Sequence, residues 1–148
     1  MNIPEIKITV NFDKKVKKSE LVKITGSKTS YETFKRVFDL DTFDWTEQMI
    51  VLCLNRSHKV VGFYKLSSGG FDGTVCDPKV VFTIALNCAA SAIILGHNHP
   101  SGNLKPSNED IKITKKISEG WKLLDIVLLD HIIMTDEGYY SFADEALI

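Results

Sequence analysis

Ser91-Ala92-Ile93-Ile94-Leu95-Gly96-His97-Asn98-His99-Pro100-Ser101-Gly102-Asn103-Leu104-Lys105-Pro106-Ser107-Asn108-Glu109-Asp110 runs from an almost wholly apolar segment through a polar, turn-rich loop into a helix start. The run SAIIL (Ser91 to Leu95) has the pattern of a central strand buried on both faces. The loop bends at Pro100 and Gly102. Ser107-x-x-Asp110 then has the form of a helix N-terminus, with Ile113 and Ile117 facing inward. The order strand, loop, helix is the skeleton on which the rest of the chain is read.

Upstream, QMIVLCLN and KVVGFYKLS flank the polar turn Asn55-Arg56-Ser57-His58 and predict an antiparallel hairpin. Gly69 to Gly73 (GGFDG) predicts a loop. Asp77-Pro78 predicts a capped helix start with Pro at the first helical position, the helix running through VVFTIALNCAA. Thr29-x-x-Glu32 has the form of a capping box, and Tyr31, Phe34, Val37 and Phe38 recur at helical spacing. At the start of the chain Ile6, Ile8, Val10 and Phe12 alternate, which predicts a strand. KKVKK (Lys14 to Lys18) reads as a solvated turn. Downstream, LLDIVLLDHIIMT, DEG and YYSF predict a further strand or two around a tight turn. The expected fold is α/β (α+β): a single mixed sheet flanked by helices. One domain is expected over 1–148, with an N-terminal strand and helix (1–46) packed on a core that carries the site (47–148).

The chain has 148 residues, 44% of them hydrophobic and 25% charged, the balance of an ordinary globular protein. Its 18 basic and 19 acidic residues give a net charge of −1, which supplies no general attraction to nucleic acid or anionic lipid. No run approaches a membrane helix and MNIPEIKITV lacks a signal-peptide pattern, so a cytoplasmic location is expected. The three cysteines form no CxxC pair; Cys53 and Cys88 lie in apolar runs as small buried hydrophobes. Reduced thiols follow. Trp45 and Trp121 are expected to pack rather than stack on bases, and His58 to be exposed.

The chemistry is concentrated at His97, His99 and Asp110. Side chains at i and i+2 of an extended segment point the same way, so His97 and His99 can present two imidazoles to one point. Asp110, in the first turn of the following helix, can add an oxygen. Two His and one carboxylate make a three-ligand metal site with its fourth position open to water, the pattern of a catalytic zinc. His₂Asp also holds Fe²⁺ or Mn²⁺. Ser107 is an N-cap in either case. Hydrolysis needs a base for the activated water. Glu47, opening a strand that can neighbour SAIIL, is one candidate, against the default of a solvated strand-start Glu. Glu109 would point about 100° away around the helix. Asp130-His131 reads as an orienting or core hydrogen-bonding pair, since metal-binding His usually have outer partners.

Over nearly its whole length the chain resembles the RadC-like proteins of the JAMM/MPN (JAB domain) metalloprotease-like superfamily. The resemblance is carried by Glu47, then His97-x-His99, seven residues, Ser107, two residues and Asp110. HNHPSGNLKPSNED, LLDIVLLDHIIM (Leu123 to Met134) and YYSF (Tyr139 to Phe142) add to it. It implies a cytidine-deaminase-like architecture and one Zn²⁺ per chain on His97, His99 and Asp110. It further implies that Ser107 helps hold an oxyanion and that Glu47 is general acid/base. Many relatives carry an Arg-Glu pair where this chain reads Asp77-Pro78-Lys79-Val80, which leaves Glu47 as the carboxylate for that work. Relatives also usually carry an N-terminal helical region of DNA-binding type. Only about 46 residues precede Glu47 here, which removes the easiest route to DNA.

The expected function is zinc-dependent hydrolysis of an amide or isopeptide bond in a peptide or protein substrate. The alternatives are a DNA-repair protein acting on or near DNA, and a non-catalytic MPN-type binding module. The literal HNH at His97 to His99 does not make an HNH nuclease, whose His, Asn and His come from separated places on a ββα unit. No membrane partner is expected, and a homo-oligomer is compatible with the composition.

Overall fold

The computed structural model describes residues 2–69 and 76–148. In chain order the elements are α1 (Ser27–Phe34), β1 (Gln48–Leu54), β2 (Val60–Ser68), α2 (Pro78–Asn87), β3 (Ala92–Asn98) and α3 (Asn108–Trp121). A 3-10 turn (Lys122–Leu124) leads to β4 (Val127–Met134) and β5 (Tyr139–Ser141). The strands form one mixed sheet in the order β2-β1-β3-β4-β5. Only β3 and β4 pair in parallel, and α3 is the crossover between them. The other neighbours are antiparallel.

Every residue of β1 and of β3 is buried, which is why QMIVLCL and AIILGHN show no polar alternation. Alternation still sorts their side chains between two cores. Ile50, Leu52 and Ile94 pack with Phe34 and Phe38 beneath α1. Val51, Cys53, Ile93 and Leu95 pack with Val81 and Ala85 of α2 and Ile117 and Trp121 of α3. Helices therefore cover both faces, and each fully buried Leu, Ile or Phe contributes about 1.5–3 kcal/mol by leaving water. Burial pushes the Cys53 thiol up to about 12, so it acts as a hydrophobe, while Cys88 is only half-buried.

Several local expectations are corrected. No strand forms over Ile6 to Phe12. Ile6 and Ile8 stay 86% and 70% exposed, so alternation there buries no apolar face. The N-terminal segment instead meets the start of β2 through the Lys23–Lys59 bridge, the Val60 N–H donating to the Val22 carbonyl at 2.8 Å, and the Phe12 ring against Gly62. Thr29 is the third residue of α1 rather than its cap: its hydroxyl oxygen accepts from the Gly26 and Thr25 N–H groups, and Gly26 is the N-cap. Glu32 pairs with Lys35. Trp45 is 66% exposed and does not pack in the core, whereas Trp121 is buried against Phe82. Of the expected Gly69 to Gly73 loop, only Gly69 lies within the described residues.

The predicted hairpin, the Asp77-Pro78 helix start and the Ser107 cap all form. Asp77 accepts from the Lys79 N–H at 2.9 Å. His58 is exposed, in the turn between β1 and β2. Among the described residues no helix is long and apolar enough to cross a membrane.

Gly96 occupies the α1 side of β3, where a Cβ would stand 2.5–2.8 Å from ring atoms of the fully buried Phe34. Gly96→Ala is therefore expected to cost about 1–3 kcal/mol of stability through overpacking. Urea denaturation checks this, and an unchanged midpoint would show that Phe34 moves aside freely.

Candidate metal centre

The period of two along β3 sends Ile93, Leu95 and His97 to the α3 side and Asn98 to the opposite side. Met49 pairs with His97, so Glu47 falls beside the end of β3. His99 continues beyond the strand, held by its N–H donating to the Met134 carbonyl at 2.9 Å. The turn that follows closes with the Gly102 N–H donating to the His99 carbonyl, and Gly102 has φ 78°, a backbone region that favours glycine. α3 then begins at the Ser107 cap. Ser107 Oγ accepts from the Asp110 N–H at 3.1 Å, and the Ser107 N–H donates to Asp110 Oδ2 at 2.7 Å. This capping box fixes the Asp110 carboxylate over the two imidazoles.

His97 Nε2 and His99 Nε2 are 2.9 Å apart. Asp110 Oδ1 lies 3.2 Å from His97 Nε2, and its Oδ2 lies 3.5 Å from His99 Nε2. Glu47 Oε1 is 3.7 Å from His99 Nε2. Ligand atoms of Glu47, His97 and His99 all fall within 4.8 Å of one another, a grouping able to hold a metal ion. Zinc–donor bonds of about 2.0–2.1 Å in a tetrahedron put neighbouring donors about 3.3 Å apart. The His97, His99 and Asp110 separations straddle that value. The donor set, two imidazoles and two carboxylates, suits a divalent cation of borderline softness.

The electrostatics agree. Burial works against the charged form of His99, but hydrogen bonds to Asp110 and to the Asn103 carbonyl, with the nearby Glu47 charge, raise its pKa. Burial alone would push the Asp110 carboxyl up, yet His97, His99 and Ser107 together hold it well below the usual carboxylate range. The pocket favours positive charge at the point where the nitrogens meet. His99 Nδ1 lies 2.6 Å from the Asn103 carbonyl, which can only accept, so Nδ1 carries the proton of the neutral ring and Nε2 is left with its lone pair.

The structure brings together all five residues singled out in the sequence: Glu47, His97, His99, Ser107 and Asp110. Glu109 points to Lys112 in solvent. His131 contacts His97 at 2.8 Å, so it has the orienting position expected of it. Asp130 faces the other way and binds the C-terminal segment. It accepts from Ser141 Oγ at 2.7 Å, Ala143 N–H at 3.0 Å and its neighbour His131 N–H at 2.7 Å. Asn98 and Thr114 were missed. The available signal for Asn98 was alternation, since a residue between two site histidines must face the opposite core. Thr114 lies four residues after Asp110, on the same helix face.

The RadC-like JAB domain family matches residues 24–147. A UPF0758 protein of Flavobacterium johnsoniae is 43% identical over 128 residues, covering 86% of this chain and 55% of that protein. One from Porphyromonas gingivalis is 42% identical over 127 residues, covering 84% and 54%. One from Streptococcus suis is 30% identical over 145 residues, covering 96% and 58%. The chain spans about half the length of the curated relatives it matches. It belongs to the RadC-like JAB domain family.

Two outcomes are expected of this centre. Mass spectrometry of tag-free protein should find about one divalent transition metal per chain, and Asp110→Ala should lose it. Metal-free protein that stays so when zinc is offered would exclude the site. Asp130→Ala should lower stability by about 2–4 kcal/mol, because buried donors lose their acceptor, without altering metal content. A denaturation midpoint matching the parent would show that water replaces the carboxylate.

Proposed function

We propose that the chain is a metal-dependent hydrolase of JAMM type, with one Zn²⁺ held by His97, His99 and Asp110, that cleaves an amide or isopeptide bond in a peptide or protein. The observation that carries this reading is the meeting of the two Nε2 atoms, 2.9 Å apart, with the Asp110 carboxylate 3.2 and 3.5 Å from them and Glu47 Oε1 3.7 Å from His99 Nε2. When bound, the cation supplies Lewis-acid polarisation of a carbonyl and acidifies a water. The choice of amide substrate rests on the family resemblance.

Each side chain then has a distinct task. His97 and His99 direct lone pairs to one point from a buried strand end, which limits their motion. Asp110 adds negative charge and is held in place by its own helix cap. Glu47 borders the cluster without a hydrogen bond to Asp110 or Ser107 among those described, so its carboxylate is free to take a proton from the attacking water. It can return that proton to the leaving nitrogen. Ser107 Oγ uses a lone pair to accept from the Asp110 N–H, which leaves its hydroxyl hydrogen to donate to the developing oxyanion.

Glu47→Gln is the discriminating variant. It should retain the metal and reduce hydrolysis of a peptide or isopeptide substrate about 10²–10⁴-fold. Loss of the metal would place Glu47 among the ligands, and undiminished turnover would remove it from proton transfer.

A further inference from the structure

Behind His97 lies a closed file of polar atoms that ends within the protein. His97 Nδ1 is 2.8 Å from His131 Nε2, and His131 Nδ1 is 2.6 Å from Thr114 Oγ1. Thr114 Oγ1 is in turn 2.6 Å from the Asp110 carbonyl oxygen. His97, Thr114 and His131 are each no more than 1% exposed. The protons in this file can be assigned from one end. A carbonyl oxygen only accepts, so the single Thr114 hydroxyl hydrogen lies toward Asp110. The hydroxyl oxygen must then accept from His131, whose proton sits on Nδ1.

His131 meets a ring nitrogen on one side and a hydroxyl on the other, with no carboxylate on either nitrogen, and its ring stacks on Phe142 with centroids 4.8 Å apart. A neutral ring with Nδ1–H has a bare Nε2, which accepts from His97 Nδ1–H. That leaves His97 Nε2 as a lone pair, aimed at the point it shares with His99.

We propose that His131 and Thr114 are positioning residues that fix the His97 tautomer, so that Nε2 is presented as a donor to a bound divalent cation. The inference deepens the metal-centre reading and rests on it for the identity of the ligand. The file starts at the backbone carbonyl of Asp110, the residue whose side chain completes the cluster. The same helical turn therefore supplies the oxygen ligand and sets the proton on a nitrogen ligand. Without the Thr114 hydroxyl, His131 Nδ1–H would have no acceptor. Its proton would be released to move to Nε2, which would force His97 to carry its own proton on Nε2 and block donation.

The test uses ¹⁵N-imidazole NMR on chelator-treated protein and Zn²⁺ titration against a chromogenic chelator. Both are applied to the parent, Thr114→Val and Thr114→Ser. The parent should show His97 and His131 protonated on Nδ1. Thr114→Val, of the same shape, should lose that signature and weaken Zn²⁺ binding about 10–100-fold, while Thr114→Ser restores both. A parent His97 whose Nδ1 is bare while Nε2 carries the proton would overturn the proposal, as would a folded Thr114→Val with parental affinity. If Thr114→Val does not fold, the tautomer spectrum of the parent decides alone. A parent that shows the expected tautomers but takes up no Zn²⁺ sinks the hydrolase reading and the cation's role, a result distinct from a wrong tautomer.

Discussion

The carboxamide of Asn98 is fully buried at the end of β3 and has no water to fall back on. Its Oδ1 accepts from the Gln48 N–H at 2.6 Å, and its Nδ2 donates to the Phe43 and Thr46 carbonyls at 2.6 and 2.9 Å. Leaving such an amide unpaired would cost roughly 1–3 kcal/mol for each group, so these bonds hold the chain as firmly as a strand ladder does. They bracket Glu47 on both sides. Gln48 extends the hold by bonding Asp39 and Thr42 with its own side chain. Glu47 sits ahead of β1, in irregular backbone, yet its position is set by a residue of β3. The same strand end sends His97 and His99 the other way. One alternation thus places the carboxylate and the imidazoles together.

The first turn of α3 shows how a structural device and a candidate ligand coincide. An acidic residue at this position is favourable to any helix, because it faces the positive end of the macrodipole and bonds the cap N–H. Asp110 does both, and its carboxylate still reaches the two Nε2 atoms. Its ordinary role in capping therefore fixes its place before any ligand arrives. The pull of His97, His99 and Ser107 then keeps it ionised where burial alone would favour the protonated acid.

What could be read from the sequence divides along a physical line. Contiguous apolar runs identified β1 and β3, because burial on both faces leaves a signature in the residues themselves, and the polar turn between two apolar runs identified the hairpin. The site was legible because His97, His99, Ser107 and Asp110 are close in the chain and their spacing carries their geometry. Glu47 was found chiefly through resemblance; its approach depends on strand pairing, which spacing does not reveal. The strand over Ile6 to Phe12 failed for the converse reason. Alternation records a face that can be buried, and nothing in those residues says whether a partner exists to bury it. Thr29 misled because a threonine followed at three residues by a glutamate fits a cap, yet Thr29 itself serves Gly26 from the third position. Asn98 was hidden inside a motif whose flanking histidines drew the attention. Its polarity was informative only once it was assigned to the far core.

The nature of the partner behind His97 bears on charge at the centre. Metal-binding histidines are commonly oriented by a carboxylate, which adds a negative charge behind the ring. Here the orienting group is a second imidazole, fully buried and followed by a hydroxyl and a carbonyl. The file supplies direction without adding charge. Asp110 and Glu47 are then the anionic groups in contact with the imidazole pair among the described residues. A divalent cation on His97, His99 and Asp110 would keep a net positive charge from its ligands alone. That excess charge would draw electron density from a bound carbonyl and leave the Glu47 carboxylate as the neighbouring proton acceptor. A carboxylate in place of His131 would reduce that excess. The uncharged file is therefore compatible with the proposed polarisation of a carbonyl, and it makes the position of a single hydroxyl, that of Thr114, decisive for the nitrogen that faces the point shared with His99.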